Sequence, residues 1–121
     1  MPMIKLTERQ HQEFIFRWAK HKQKQYPMLK YLHASMTGMK TDAKTAAINK
    51  RAGLIRGIPD ILLPYPNKTH AGLFIELKTE SGRPTKEQKE FIEYLNSVGY
   101  KAVVCHGHLE ANKVIDEYLA C

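Results

Sequence analysis

Gly57-Ile58-Pro59-Asp60 is followed, after fifteen intervening residues, by Glu76-Leu77-Lys78. Two acids and a lysine in strand-like surroundings have the donor set of a metal-dependent phosphodiesterase. A carboxylate pair binds a hard divalent cation such as Mg²⁺ or Mn²⁺ through oxygen and leaves room for water and a phosphate oxygen. A lysine beside them can orient or deprotonate that water. Each piece alone is also ordinary: an E-x-K triplet is a common solvent-facing ion pair, and Pro-Asp often begins a turn or a strand. The combination is less ordinary. Leu73, Ile75 and Leu77 alternate with Phe74, Glu76 and Lys78, so one face of this strand is apolar and Glu76 and Lys78 share the other.

The elements that must hold these residues are readable from caps, breakers and periodicity. Thr7-Glu8-Arg9-Gln10 has the form of a capping box and opens a helix to about Lys24, before Pro27. Its apolar stripe is Phe14, Ile15, Trp18 and Ala19, with Glu13 at the stripe's edge. The residue pattern alone favours an i,i+4 surface pair between Glu13 and Arg17 over a role in a site. A strand is expected at Leu29 to Ala34, followed by a turn-like Ser35-Met36-Thr37-Gly38-Met39-Lys40 and a basic helix capped by Thr41 or Asp42 that ends at Gly53. Asp60 to Leu63 and Gly72 to Lys78 read as neighbouring antiparallel strands joined by a polar loop. Thr85-Lys86-Glu87-Gln88 repeats the capping box at the head of a helix to about Ser97 that buries Phe91, Ile92 and Leu95. Gln88 continues that buried stripe, and its place at the third helical position also explains it as the partner that closes the box. Both readings stay open. A strand at Tyr100 to Cys105 and a helix at Leu109 to Leu119, burying Leu109, Val114, Ile115 and Leu119, complete the chain; His106-Gly107-His108 reads as a loop, without enough ligands for a metal. The order implies an α/β sandwich around a mixed sheet.

Composition bounds the partners. The 121 residues suit one domain, and no apolar run approaches membrane-spanning length. Met1-Pro2-Met3-Ile4-Lys5 lacks a signal-peptide core, so a soluble cytoplasmic protein is expected. Cys105 reads as a core residue and Cys121 as a tail, with no metal or disulfide spacing. The net charge of +7 is unevenly placed: residues 14–59 carry +9, whereas residues 60–121 sum to −2. A one-sided positive field is the footprint of a polyanion partner.

Taken together, Gly57-Ile58-Pro59-Asp60, Phe74-Ile75-Glu76-Leu77-Lys78, Thr85-Lys86-Glu87-Gln88-Lys89 and Val98-Gly99-Tyr100-Lys101-Ala102-Val103-Val104 closely resemble the VRR-NUC domain of the PD-(D/E)xK nuclease superfamily. The resemblance runs from Glu13 to Leu119 and implies a stand-alone domain of the kind found in phage and bacterial genomes, working in the cytoplasm of a bacterial host. It implies a restriction-endonuclease-like α/β core, a mixed β-sheet flanked by helices. It implies that Asp60, Glu76, the Leu77 carbonyl and Glu13 hold Mg²⁺ or Mn²⁺, that Lys78 activates the water, and that Gln88 is the signature glutamine beside the site. Hydrolysis would leave a 5′-phosphate and a 3′-hydroxyl. One departure is Met36-Thr37-Gly38, where relatives often carry Asn-Gly. The basic residues Lys40, Lys44, Lys50, Arg51, Arg56 and Lys86 are the candidates for gripping the DNA backbone.

These features point to a structure-selective endonuclease for Holliday junctions or other branched DNA, with a two-fold homodimer matching the symmetry of a four-way junction. The alternatives are a restriction-type duplex or flap nuclease, and a DNA-binding module that keeps the fold without cutting. The last would be marked by loss of a ligand, and none is lost here.

Overall fold

Capping boxes set the start of two of the long helices. In the computed structural model, which describes residues 5–35 and 42–121, Thr7 Oγ1 accepts from the Gln10 N–H at 3.1 Å and Gln10 Oε1 accepts from the Thr7 N–H at 2.9 Å. This opens α1, Glu8–Lys22. Thr85 and Gln88 make the same reciprocal pair, at 3.2 and 2.8 Å, and open α3, Lys86–Ser97. The basic helix α2, Ala43–Arg51, is capped by Asp42, which accepts from the Thr45 N–H at 2.7 Å. The last helix, α4, spans His108–Ala120.

Four strands form one mixed sheet in the order β1 (His33–Ala34), β2 (Ile61–Leu63), β3 (Leu73–Lys78), β4 (Lys101–His106). β2 pairs with β1 and with β3 antiparallel, whereas β4 lies parallel to β3, from Leu73 opposite Lys101 to Lys78 opposite His106. A parallel neighbour needs a crossover, and α3 supplies it. Asn96 ties that helix to β4: its side chain accepts from the Ala102 N–H and donates to the Ala102 carbonyl, both at 3.0 Å.

The core is built between the sheet and two helices. Leu73, Ile75 and Leu77 of β3 are buried, together with Ile15 and Ala19 of α1 and Ala111, Ile115 and Tyr118 of α4, and α1 packs along α4. Cys105 lies inside this cluster, where burial pushes its thiol up to about 12. This is the α/β arrangement of a mixed sheet flanked by helices that the element order implies.

Two local expectations are corrected. The strand expected at Leu29 to Ala34 is a 3-10 helix, Pro27–Tyr31, followed by only two strand residues. Pro27 stands in its first turn, where a fixed φ and a missing N–H cost nothing, and the tight turn buries Leu29 while leaving Tyr31 exposed. In α4 the buried face is Ala111, Ile115 and Tyr118, and Leu109 is exposed. Leu109 is two residues from Ala111, about 200° around the helix, so both cannot face the sheet.

Candidate active site

The antiparallel register of β2 and β3 places Ile61 opposite Ile75, so Asp60, one residue upstream, comes opposite Glu76. Asp60 is anchored at both ends. Its carbonyl accepts from the Ser35 N–H at 2.7 Å, and its Oδ2 accepts from the Leu77 N–H at 2.8 Å. The second bond brings the carboxylate alongside the backbone of Leu77. Gly57 sets the approach of the loop before it. Its φ is +91°, and a Cβ there would lie 2.6 Å from the Glu87 carbonyl oxygen, so only glycine lets this loop press against the first turn of α3.

Glu76 is the one buried charged residue among those described, with 1% of its surface exposed. Among the described residues neither of its oxygens has a hydrogen-bond partner. The Lys78 ammonium stands 3.2 Å from Glu76 Oε2 and 3.9 Å from Glu8 Oε1. Burial, and then the charge of Asp60, push the Glu76 carboxyl up to about 8 despite the opposing pull of Lys78. Burying a carboxylate with one ammonium beside it and no hydrogen bond is costly. That cost is removed when a cation accepts its lone pairs.

Carboxylate oxygens of Glu8, Asp60 and Glu76 lie within 4.8 Å of one another. An all-oxygen set of this size suits a hard divalent cation, and the buried oxygens of Glu76, which have no hydrogen bond among the described residues, are the acceptors such an ion would satisfy. The cluster could therefore bind a divalent metal.

The sequence profile of the VRR-NUC domain matches residues 6–109. The chain belongs to the VRR-NUC domain family. A solved structure described as a VRR_NUC domain protein is similar over 98% of this chain and 92% of its own, at 33% sequence identity and a TM-score of 0.85. No curated protein matches the chain. The VRR-NUC family is of nuclease type, which implies DNA as the substrate.

Within this VRR-NUC fold, the first helix contributes a different acid from the one expected. Glu13 is exposed and pairs with Arg9 at 3.6 Å, neither with Arg17 nor with the acid cluster. The acid that reaches the cluster is Glu8. The two are five residues apart, about 140° around α1 and a turn and a half along it, so one helix placement cannot serve both. In the sequence Glu8 is hidden by its position, since an acid in the first turn is the usual complement to the helix dipole.

Gln88 closes its capping box and also lines a cleft of about 270 Å³ shared with Arg56, Gly57, Asp60, Thr85 and Glu87. Both readings of Gln88 are thus compatible with one position. The charged residues expected to grip DNA are spread more widely. Arg56 is exposed at that cleft, Lys86 is exposed and 4.0 Å from Glu90, and Lys44, Lys50 and Arg51 are exposed on α2. Lys40 and the Met36-Thr37-Gly38 departure lie outside the described residues. Among those described, no helix is long and apolar enough to cross a membrane.

Proposed function

We propose that this VRR-NUC chain is a Mg²⁺- or Mn²⁺-dependent endodeoxyribonuclease that incises branched DNA of the Holliday-junction type as a homodimer. The observation that carries the reading is the buried Glu76 carboxylate, without a hydrogen bond among the described residues and paired in charge with Lys78, set beside Asp60 and Glu8.

Asp60 and Glu76 would hold the ion, with the Leu77 carbonyl as a further ligand. When bound, a divalent cation there supplies positive charge to the phosphate oxygens and lowers the cost of forming a nucleophile from water at neutral pH. The remaining work belongs to side chains. Asp60 is locked by its bond to the Leu77 N–H, so its second oxygen keeps a fixed direction. Lys78, whose side chain is 13% exposed, orients the attacking water and adds charge where the pentacoordinate phosphate becomes most negative. Attack by the water oxygen forms the new P–O bond as the bond to O3′ breaks. The products are a 5′-phosphate and a 3′-hydroxyl. Arg56 and Gln88, at the cleft beside Asp60, hold the strand, and Lys44, Lys50, Arg51 and Lys86 engage backbone phosphates.

The substrate class follows from how the charge is distributed and from the number of sites. Exposed basic residues on short elements engage phosphates and read shape more than base sequence. One acid cluster cuts one strand, so paired incision of a four-way junction takes two copies. Incubation with four-way junction, flap and linear duplex substrates, each with Mg²⁺, with Mn²⁺ and with a chelator, tests this. The reading predicts metal-dependent nicking, with the junction cut fastest. Preference for linear duplex at defined sequences would replace it with a restriction-type activity, and binding without any incision would replace it with a non-catalytic module.

A further inference from the structure

Helix α4 has no cap from its own sequence neighbourhood. Its N-cap is Gly107, at φ +94°, which has no side chain to offer. The acceptor comes from α1. The His108 N–H, the first of α4, donates to His11 Nδ1 at 3.1 Å, and the imidazole of His11 occupies the space where a Gly107 side chain would be, its Cε1 3.3 Å from that hypothetical Cβ. The backbone donor fixes the chemistry of the ring: His11 Nδ1 carries the lone pair, so the proton of the neutral ring is on Nε2. His108 Nδ1 lies 2.8 Å from the same atom, and in this tautomer it shares the single lone pair of His11 Nδ1 with the backbone donor. Phe14 stacks on His108, with centroids 4.9 Å apart.

This contact sits between the two parts of the acid site. On α1, His11 follows Glu8 by three residues, so the two share a face one turn apart. On the other side, the Gly107 N–H donates to the Lys78 carbonyl at 2.9 Å, and His106 Nδ1 bonds the Thr79 carbonyl at 2.9 Å. The first turn of α1 is thus fastened to the loop that is itself bonded to β3 at Lys78. We infer that His11 is a positioning residue that caps α4 from α1 and thereby holds the Glu8 carboxylate at the Asp60/Glu76 cluster. The inference rests on the proposal that this cluster binds a divalent cation.

The test is Mn²⁺ titration calorimetry at pH 7.5 on wild type, His11→Ala, His11→Asn, Glu8→Gln and the double variant His11→Ala/Glu8→Gln, with circular dichroism to verify folding. Outer partners of metal ligands typically contribute about tenfold or more in metal affinity. His11→Ala is expected to weaken Mn²⁺ binding about tenfold. His11→Asn, whose side-chain oxygen can accept from the His108 N–H, should recover most of the loss. The double variant should bind as weakly as Glu8→Gln alone, because both changes remove one contribution. Folded His11→Ala binding like wild type, or losses that multiply in the double variant, would overturn the role of His11 while leaving the metal site standing. No Mn²⁺ binding by wild type would overturn both. A second measurement needs no variant: imidazole ¹⁵N NMR of wild type should show His11 as the Nε2–H tautomer, and an Nδ1–H His11 would refute the cap even if His11→Ala fails to fold.

Discussion

The strand β3, with Glu76 and Lys78, and the helix α2, with Lys44, Lys50 and Arg51, are charged elements built in opposite ways. β3 lies inside the sheet, with Leu73, Ile75, Glu76 and Leu77 all buried, and its acid has the Lys78 ammonium beside it but no hydrogen bond among the described residues. α2 has no buried residue, and Lys44, Lys50 and Arg51 stand in solvent. The difference suits the two tasks proposed for them. A site that makes and breaks a bond needs fixed atoms in a dry place, which only the core supplies. A surface that grips a flexible polyanion needs charge and access, and rigidity adds little there.

If the two regions divide the work this way, mutations in each should fail differently. Asp60→Ala removes a proposed ligand and the bond to the Leu77 N–H, and incision should fall by on the order of a thousandfold or more, while salt-sensitive DNA binding stays within about twofold. Rapid-quench incision assays and fluorescence anisotropy check the two halves. Equal loss of both would erase the distinction.

The next effect concerns pH and the metal-free protein. Burial, and then the charge of Asp60, raise the Glu76 carboxyl from its ordinary 4.5 to about 8, so the folded state holds its proton more tightly between those values. The stability conferred by the neutral carboxyl is therefore fully present below pH 4.5 and is lost as pH rises through about 8. In the presence of chelator the melting temperature should fall by roughly 10 °C across that window, and Glu76→Gln should flatten the dependence. A wild-type melting curve insensitive to pH in that range would refute the burial cost assigned to the Glu76 carboxylate.

Replacing Lys44, Lys50 and Arg51 together by Ala should weaken DNA binding about tenfold at low salt and reduce the slope of log K against log salt by about 2 to 3. The single-turnover rate on saturating DNA should hardly change. A collapse of that rate would mean that α2 helps to build the site. The smallest effect is expected at Glu13, whose exposed pair with Arg9 is worth a few tenths of a kcal/mol. Glu13→Gln should leave Mn²⁺ affinity within about twofold of wild type, in contrast to Glu8→Gln.

The same contrast explains what could be read in the sequence. Asp60, Glu76 and Lys78 were legible because a period of two and the pairing of neighbouring strands are local signals, and their antiparallel register brings Asp60 opposite Glu76. The helix starts at Thr7 and Thr85 were legible because a capping box is complete within four residues. Glu8 was hidden, since its first-turn position has an ordinary explanation and its meeting with Asp60 depends on how α1 docks. Leu29 to Ala34 looked like a strand from its apolar residues, but Pro27 and the burial of Leu29 favour a tight turn. The His11–His108 contact joins residues 97 apart, and no periodicity announces a cap supplied by another helix.

The central claim is that the buried Glu76 carboxyl is protonated in the metal-free protein and becomes a cation ligand. Calorimetric titration of Mn²⁺ at pH 7, repeated in buffers of different ionisation enthalpy, measures the protons released on binding. The account predicts release of about one proton per ion by wild type and its loss in Glu76→Gln, together with most of the affinity. Unchanged affinity in Glu76→Gln, or binding with no proton released, would contradict it.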